Sequence, residues 1–154
     1  MNNHKLVFIS LFLFSSLVSQ QVFADITISD PWISEAPPTV TILAGYARIT
    51  NLSKQTISLT SVSSPTFAKI ELHQSTLVDG TARMEKQGSL TLGAESSVEL
   101  SPGGYHLMLF NPDRLLKTGD TVDIVFNFSD DSSKSIAVPV KKRNNDGHDH
   151  HHHH

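Results

Sequence analysis

From Asp25 to Val140 the apolar positions fall in short segments, alternating with polar residues or built from β-branched ones, and turn residues separate them. No helical period of useful length runs through this stretch. The pattern predicts strands at Ile26 to Ser29, Ala44 to Asn51, Thr56 to Ser63, Lys69 to Ser75, Ala82 to Gln87, Ser97 to Leu100, Tyr105 to Phe110, Thr121 to Phe128 and Ser135 to Val140. The breaks have turn chemistry: Val78-Asp79-Gly80, Asn111-Pro112-Asp113 and Thr118-Gly119-Asp120 all use residues that tolerate tight or left-handed backbone, and Ser101-Pro102-Gly103-Gly104 is the strongest turn. The expected fold is therefore all-β, a sandwich or barrel of about eight or nine short strands. No internal repeat is visible.

The two ends read differently. Met1 to Lys5 is a short polar start with one positive charge, followed by the apolar run Leu6 to Phe14 and then by small and polar residues up to Val22-Phe23-Ala24. This is the layout of an export signal, with cleavage expected before Asp25. The run is shorter than the roughly 20 residues that span a bilayer, so a stable membrane anchor is not expected, and the cleavage point has no cysteine to take a lipid. Residues 141 to 154, from Lys141 through His148-Asp149 to the run His150 to His154, contain no apolar residue, and a disordered tail is expected there. Between them, residues 25 to 140 have the size of one domain, expected as a monomer.

Charge and cysteine usage narrow the function. Without residues 1 to 24 the chain has 11 basic and 15 acidic residues, hence a formal charge of 11 − 15 = −4, which argues against a nucleic-acid partner. The absence of cysteine leaves stability to packing and excludes blue-copper ligation, redox dithiols and zinc ribbons.

Methionine and histidine carry the candidate chemistry. Apart from Met1 the chain has only Met84 and Met108, and outside the two ends its only histidines are His73 and His106. Residues i and i+2 of a strand share a face, so His106-Leu107-Met108 presents an imidazole beside a thioether. His73 and Met84 flank the Asp79-Gly80 turn. A four-residue loop sets them opposite each other, and a two-residue loop sets Met84 opposite Ser75; either register lets them converge. Two thioethers and two imidazoles, all neutral, suit a soft ion of low charge, which points to Cu(I), whereas zinc, calcium and magnesium sites use other donors. Singly, each residue is more often a gap-filling Met or a satisfied or exposed His than a ligand; the set of four makes the metal reading.

The spacing of His73, Met84, His106 and Met108 resembles the signature of the PCuAC family of periplasmic copper chaperones. Ile70-Glu71-Leu72-His73 and Pro102-Gly103-Gly104-Tyr105-His106-Leu107-Met108-Leu109 are similar to its two best-marked segments, and Asp30-Pro31-Trp32 with Ala44-Gly45-Tyr46 resembles its opening. The likeness runs from about Ile26 to Val140. It implies a cupredoxin-like β fold, a periplasmic location, one Cu(I) near the surface, and delivery of copper towards the CuA centre of cytochrome c oxidase, often beside a Sco-type protein. Many relatives have a Met after the first His, where this chain has Gln74.

The function expected is a metallochaperone without catalysis, passing Cu(I) by ligand exchange, a process that exposure of His106 and Met108 would serve. Storage or detoxification of copper, a redox cupredoxin and a metal-free binding sandwich are the rivals. Trp32 reads as a core or edge-packing aromatic, or else as a shield over the site. Asp120 and Asp123 read as a solvated strand edge. His148 and His150, His151, His152, His153 and His154 form a candidate second site, for Cu(II), in the tail.

Overall fold

Val122, Ile124, Phe126 and Phe128 occupy every second position of one segment, and alternate positions of a strand share a face. In the computed structural model, which describes residues 25–143, these four are buried and the residues between them are exposed or half-buried. The expectations for residues 1–24 and for the tail histidines lie outside the described residues.

The described residues form ten strands and no helix: β1 (Ile26–Ser34), β2 (Ile42–Asn51), β3 (Ile57–Ser63), β4 (Phe67–Val78), β5 (Thr81–Gln87), β6 (Leu90–Leu92), β7 (Ser96–Leu100), β8 (Tyr105–Pro112), β9 (Thr121–Phe128) and β10 (Ser133–Lys141). Hydrogen bonds link them in the order β5-β4-β8-β7-β2-β1-β10-β9-β3-β6, with β2 also paired to β8. This open sheet folds over on itself. Leu72, Leu107 and Leu109 from β4 and β8 belong to one buried cluster with Leu59, Ile124 and Phe126 from β3 and β9, so two layers enclose a single core.

The all-β expectation holds, with several strands longer than expected, β8 among them, which runs through Asn111 to Pro112 where a turn is expected, and with two larger differences. β6 has only three residues, Leu90, Thr91 and Leu92, too few to show a period. β1 continues past Ser29, where the expected strand ends, because a bulge at Asp30-Pro31 carries it on. Ser29 pairs with Arg48 and Trp32 with Tyr46, so β1 spends one residue more than β2 there, and Asp30 adopts φ 50°.

Two positions fix how β2 meets its neighbours. β2 pairs with β8 over Ile42 to Gly45 and with β7 over Ala47 to Asn51, changing partner at Tyr46. At Gly45 a Cβ would lie 3.0 Å from Leu109 Cδ1 and 3.4 Å from Leu107 Cβ, so the close approach of β2 to β8 leaves little room for a side chain. At the far end of β2, Asn51 is 0% exposed. Its amide nitrogen donates to the carbonyls of Gln55 (2.7 Å), Gly93 (2.9 Å) and Leu92 (3.2 Å), and its amide oxygen accepts from Ser53 N and Oγ. One side chain thus ties the β2–β3 loop to the loop after β6.

Candidate metal centre

The β4–β5 hairpin closes through a two-residue loop, Asp79 (φ 50°) and Gly80 (φ 76°), both left-handed as this tight turn requires. Of the two registers open from sequence, this is the one that sets Met84 opposite Ser75; His73 faces Lys86. On its other side β4 pairs with β8, setting His73 opposite His106 and Glu71 opposite Met108. Directly paired residues of an antiparallel ladder share a face. His73, Met84, His106 and Met108 therefore all lie on one face of the sheet, together with Glu71 and Ser75. Leu72, Leu107 and Leu109 fill the core on the other face. Gln74 also faces away from the four residues, so a Met in its place would not join them.

Met84, His106 and Met108 line a cavity of about 270 Å³ with Ser75, Pro102 and Tyr46. His73 does not line it, but its ring centroid is 6.1 Å from that of His106. Exposure runs against the expectation for transfer. His106 is 6% exposed and Met108 half-buried, whereas Met84 is 56% exposed. The reason is position in the sheet: β8 is flanked by β4 and by β2, while β5 is an edge strand whose residues are exposed up to Gln87. Arg83, Glu85 and Lys86 keep that edge charged.

The turn expected at Ser101 to Gly104 forms, closed by Gly104 N donating to the Ser101 carbonyl at 3.0 Å, with Gly103 at φ 84°. It serves the site directly. The Gly104 carbonyl accepts from Ser75 N at 3.0 Å and lies 3.0 Å from His106 Nδ1, so it docks the β4 backbone and orients the imidazole at once.

Glu71 is the residue of this face that the sequence reading left without a role. Its Oε2 lies 3.0 Å from His73 Nε2, and its Oε1 meets Lys86 Nζ at 2.7 Å and Lys69 Nζ at 3.0 Å. The bonds from Lys86, His73 and Lys69 hold the carboxyl down to about 2, far below the ordinary carboxylate range, so it is ionised at any physiological pH. An acid two residues before a ligand candidate in a strand was the available cue, since i and i+2 share a face.

The donors fit a soft ion. Among the described residues no group of three or more His, Cys, Asp or Glu could hold a metal, and the further soft donors on this face are the two thioethers. His73 Nδ1 is buried without a hydrogen-bond partner, and an orphaned acceptor of this kind calls for an explanation such as an ion. Two imidazoles with two thioethers and a carboxylate already neutralised by lysines make a set suited to Cu(I).

Comparison with known proteins agrees in kind. Residues 26–140 match the family model described as "Putative lipoprotein LpqE-like". The chain belongs to this LpqE-like family, which is of the PCuAC type. It is 28% identical over 117 residues to Lxx21020 of Leifsonia xyli subsp. xyli, with 75% of this chain and 69% of that protein covered. It is 30% identical over 117 residues to RP573 of Rickettsia prowazekii, covering 71% of this chain and 63% of that protein, somewhat under two thirds of its length. Among solved structures it resembles Cu(I)-DR1885 of Deinococcus radiodurans, with a TM-score of 0.63, 31% identity and 76% and 78% of the two chains covered. It also shares the fold of the copper-bound PCuAC domain from PmoF2, with a TM-score of 0.65, 20% identity and 77% and 93% covered. The fold is thus the cupredoxin-like one of PCuAC domains. The 154 residues contain no cysteine that could carry the lipid the family description mentions.

Trp32 sits on the site face, since it pairs with Tyr46 while Ile33 beside it is fully buried in the core. Its ring centroid is 4.6 Å from that of Tyr46, which lines the cavity, while Trp32 itself is not one of the lining residues. Asp120 accepts from Lys117 N and from Arg114 Nη1, capping the turn before β9.

Proposed function

We propose that the protein is an exported copper chaperone that holds one Cu(I) with His73, Met84, His106 and Met108 and passes it to a partner by ligand exchange, without transforming a substrate. The observation that carries this reading is the meeting of two imidazoles and two thioethers on one sheet face, with one imidazole nitrogen buried and unpartnered. Met84, exposed on the edge strand, is the natural first ligand to be exchanged, because an incoming donor reaches the ion from that side. The recipient that fits the family is a periplasmic copper acceptor such as the CuA domain of cytochrome c oxidase or a Sco-type protein. Anaerobic titration against a competing Cu(I) chelator is the test: one tightly held equivalent is expected, released on mixing with a purified CuA domain. Failure to compete with the chelator refutes the reading.

The tail histidines, His148 and His150 to His154, would add a Cu(II) site, since imidazoles suit that ion. Arg143, five residues before His148 in the sequence, lines the cavity. A chain stopped at Arg143 should bind less Cu(II) while keeping its Cu(I) affinity. Equal Cu(II) stoichiometry in the two forms excludes a tail site.

A further inference from the structure

Each histidine of the pair has one nitrogen already committed, and the two commitments differ. His106 Nδ1 lies 3.0 Å from the Gly104 carbonyl oxygen, which can only accept, so Nδ1 carries the proton and Nε2 keeps the lone pair. No partner occupies Nε2 among the described residues. In His73 the roles are reversed. Nε2 lies 3.0 Å from Glu71 Oε2, which as a carboxylate can only accept, so Nε2 carries the proton and the buried, unpartnered Nδ1 keeps the lone pair.

We propose that Glu71 is a positioning residue for the ion: by accepting the Nε2 proton of His73 it presents Nδ1 of that ring, while the Gly104 carbonyl makes His106 present Nε2. The proposal rests on the copper reading above and names which nitrogen each ring would use. A carboxylate behind a ligating histidine fixes the tautomer and ring orientation and strengthens the histidine as a donor. Glu71 is itself held in place. Lys69 and Lys86 occupy Oε1, leaving Oε2 for His73, so neither oxygen is free to become a ligand. Lys86 stands directly opposite His73 on β5, the strand that also carries Met84, so the cradle and the exposed thioether are parts of one hairpin.

Two variants separate orientation from charge. Glu71→Ala removes both the acceptor and a negative charge beside two lysines, whereas Glu71→Gln removes the same charge but keeps an acceptor oxygen. Nitrogen NMR of the copper-free protein, above the pH at which imidazoles protonate, reads the His73 tautomer. The expected result is Nε2–H in the wild type and in Glu71→Gln, and a mixture of tautomers in Glu71→Ala. Cu(I) affinity measured by chelator competition should fall about 10- to 100-fold in Glu71→Ala, the usual effect of losing such a support, and stay near wild type in Glu71→Gln. An Nδ1–H tautomer at His73 in the wild type overturns the proposal, as does an equal loss of affinity in the two variants, which would mean charge alone acts. Should Glu71→Ala not fold, the wild-type tautomer and the Glu71→Gln affinity decide. A wild type that takes up no Cu(I) refutes the copper reading instead, while the tautomer still judges Glu71.

Discussion

Replacing Met84 and Met108 together by leucine should lower Cu(I) affinity about a thousandfold or more, well beyond the 10- to 100-fold typical of groups that only support a ligand, and leave the fold intact. The two thioethers are the donors that suit a soft monovalent ion, and two imidazoles alone hold it less well. Leucine keeps the volume and the apolar character of methionine, a swap that costs under about 1.5 kcal/mol even in a core. Neither position is fully buried: Met84 is 56% exposed on the edge strand and Met108 is half-buried. A loss of affinity therefore cannot be blamed on unfolding, and a thermal melt of the copper-free variant serves as the control. The measurement is anaerobic competition with a Cu(I) chelator. If the double variant competes as the wild type does, the four residues share a face by coincidence and the protein is a binding sandwich of another kind. Between the single variants, Met84→Leu should speed release to an acceptor more than Met108→Leu does, because Met84 stands where an incoming donor would approach.

The candidate site was legible in the sequence because it depends on strand alternation, which is a local property. His106 and Met108 are two apart, and any strand through them puts both on one face. The fold class was legible for the same reason. What alternation does not contain is register. Whether Met84 faced His73 or Ser75 depended on the loop length, and it took the left-handed pair Asp79 and Gly80 to settle it. Exposure was hidden because it depends on strand order: His106 is covered because β8 lies between β4 and β2, and Met84 is open because β5 has a neighbour on one side only. β6 was missed because three residues carry no period, and the second half of β1 because the alternation of Ile26 to Ser29 does not run on through Asp30-Pro31, where the structure has a bulge. Glu71 stood in plain sight two residues before His73, but its role needed Lys86, fifteen residues on, to be brought across the hairpin.

The largest loss of stability from a single change should come from a residue far from the metal face. Asn51→Leu is expected to destabilise the protein by about 3 kcal/mol, since losing a buried polar partner costs about 1–3 kcal/mol and this change removes five hydrogen bonds at once, even though the Gln55 and Gly93 carbonyls keep the hydroxyls of Ser53 and Ser96. The carbonyls of Gln55, Leu92 and Gly93 lose their shared donor, and Ser53 N and Oγ lose their acceptor. Leucine is close in size, so the effect isolates hydrogen bonding from cavity formation. For a domain of this length the melting temperature should fall by about 10 °C. Asn51→Asp keeps the acceptor but turns a carboxylate towards carbonyl oxygens, so that variant should be poor at neutral pH. Its carboxyl would titrate above the ordinary range in the folded state, and a folded form that binds the proton more tightly gains stability as pH falls. The Asn51→Asp variant should therefore recover part of its loss on mild acidification, and Asn51→Leu should not. Equal melting temperatures for wild type and Asn51→Leu would mean that water replaces the amide at no cost, and that the β2–β3 loop and the loop after β6 are held together by their backbone bond from Glu95 N to the Ser53 carbonyl.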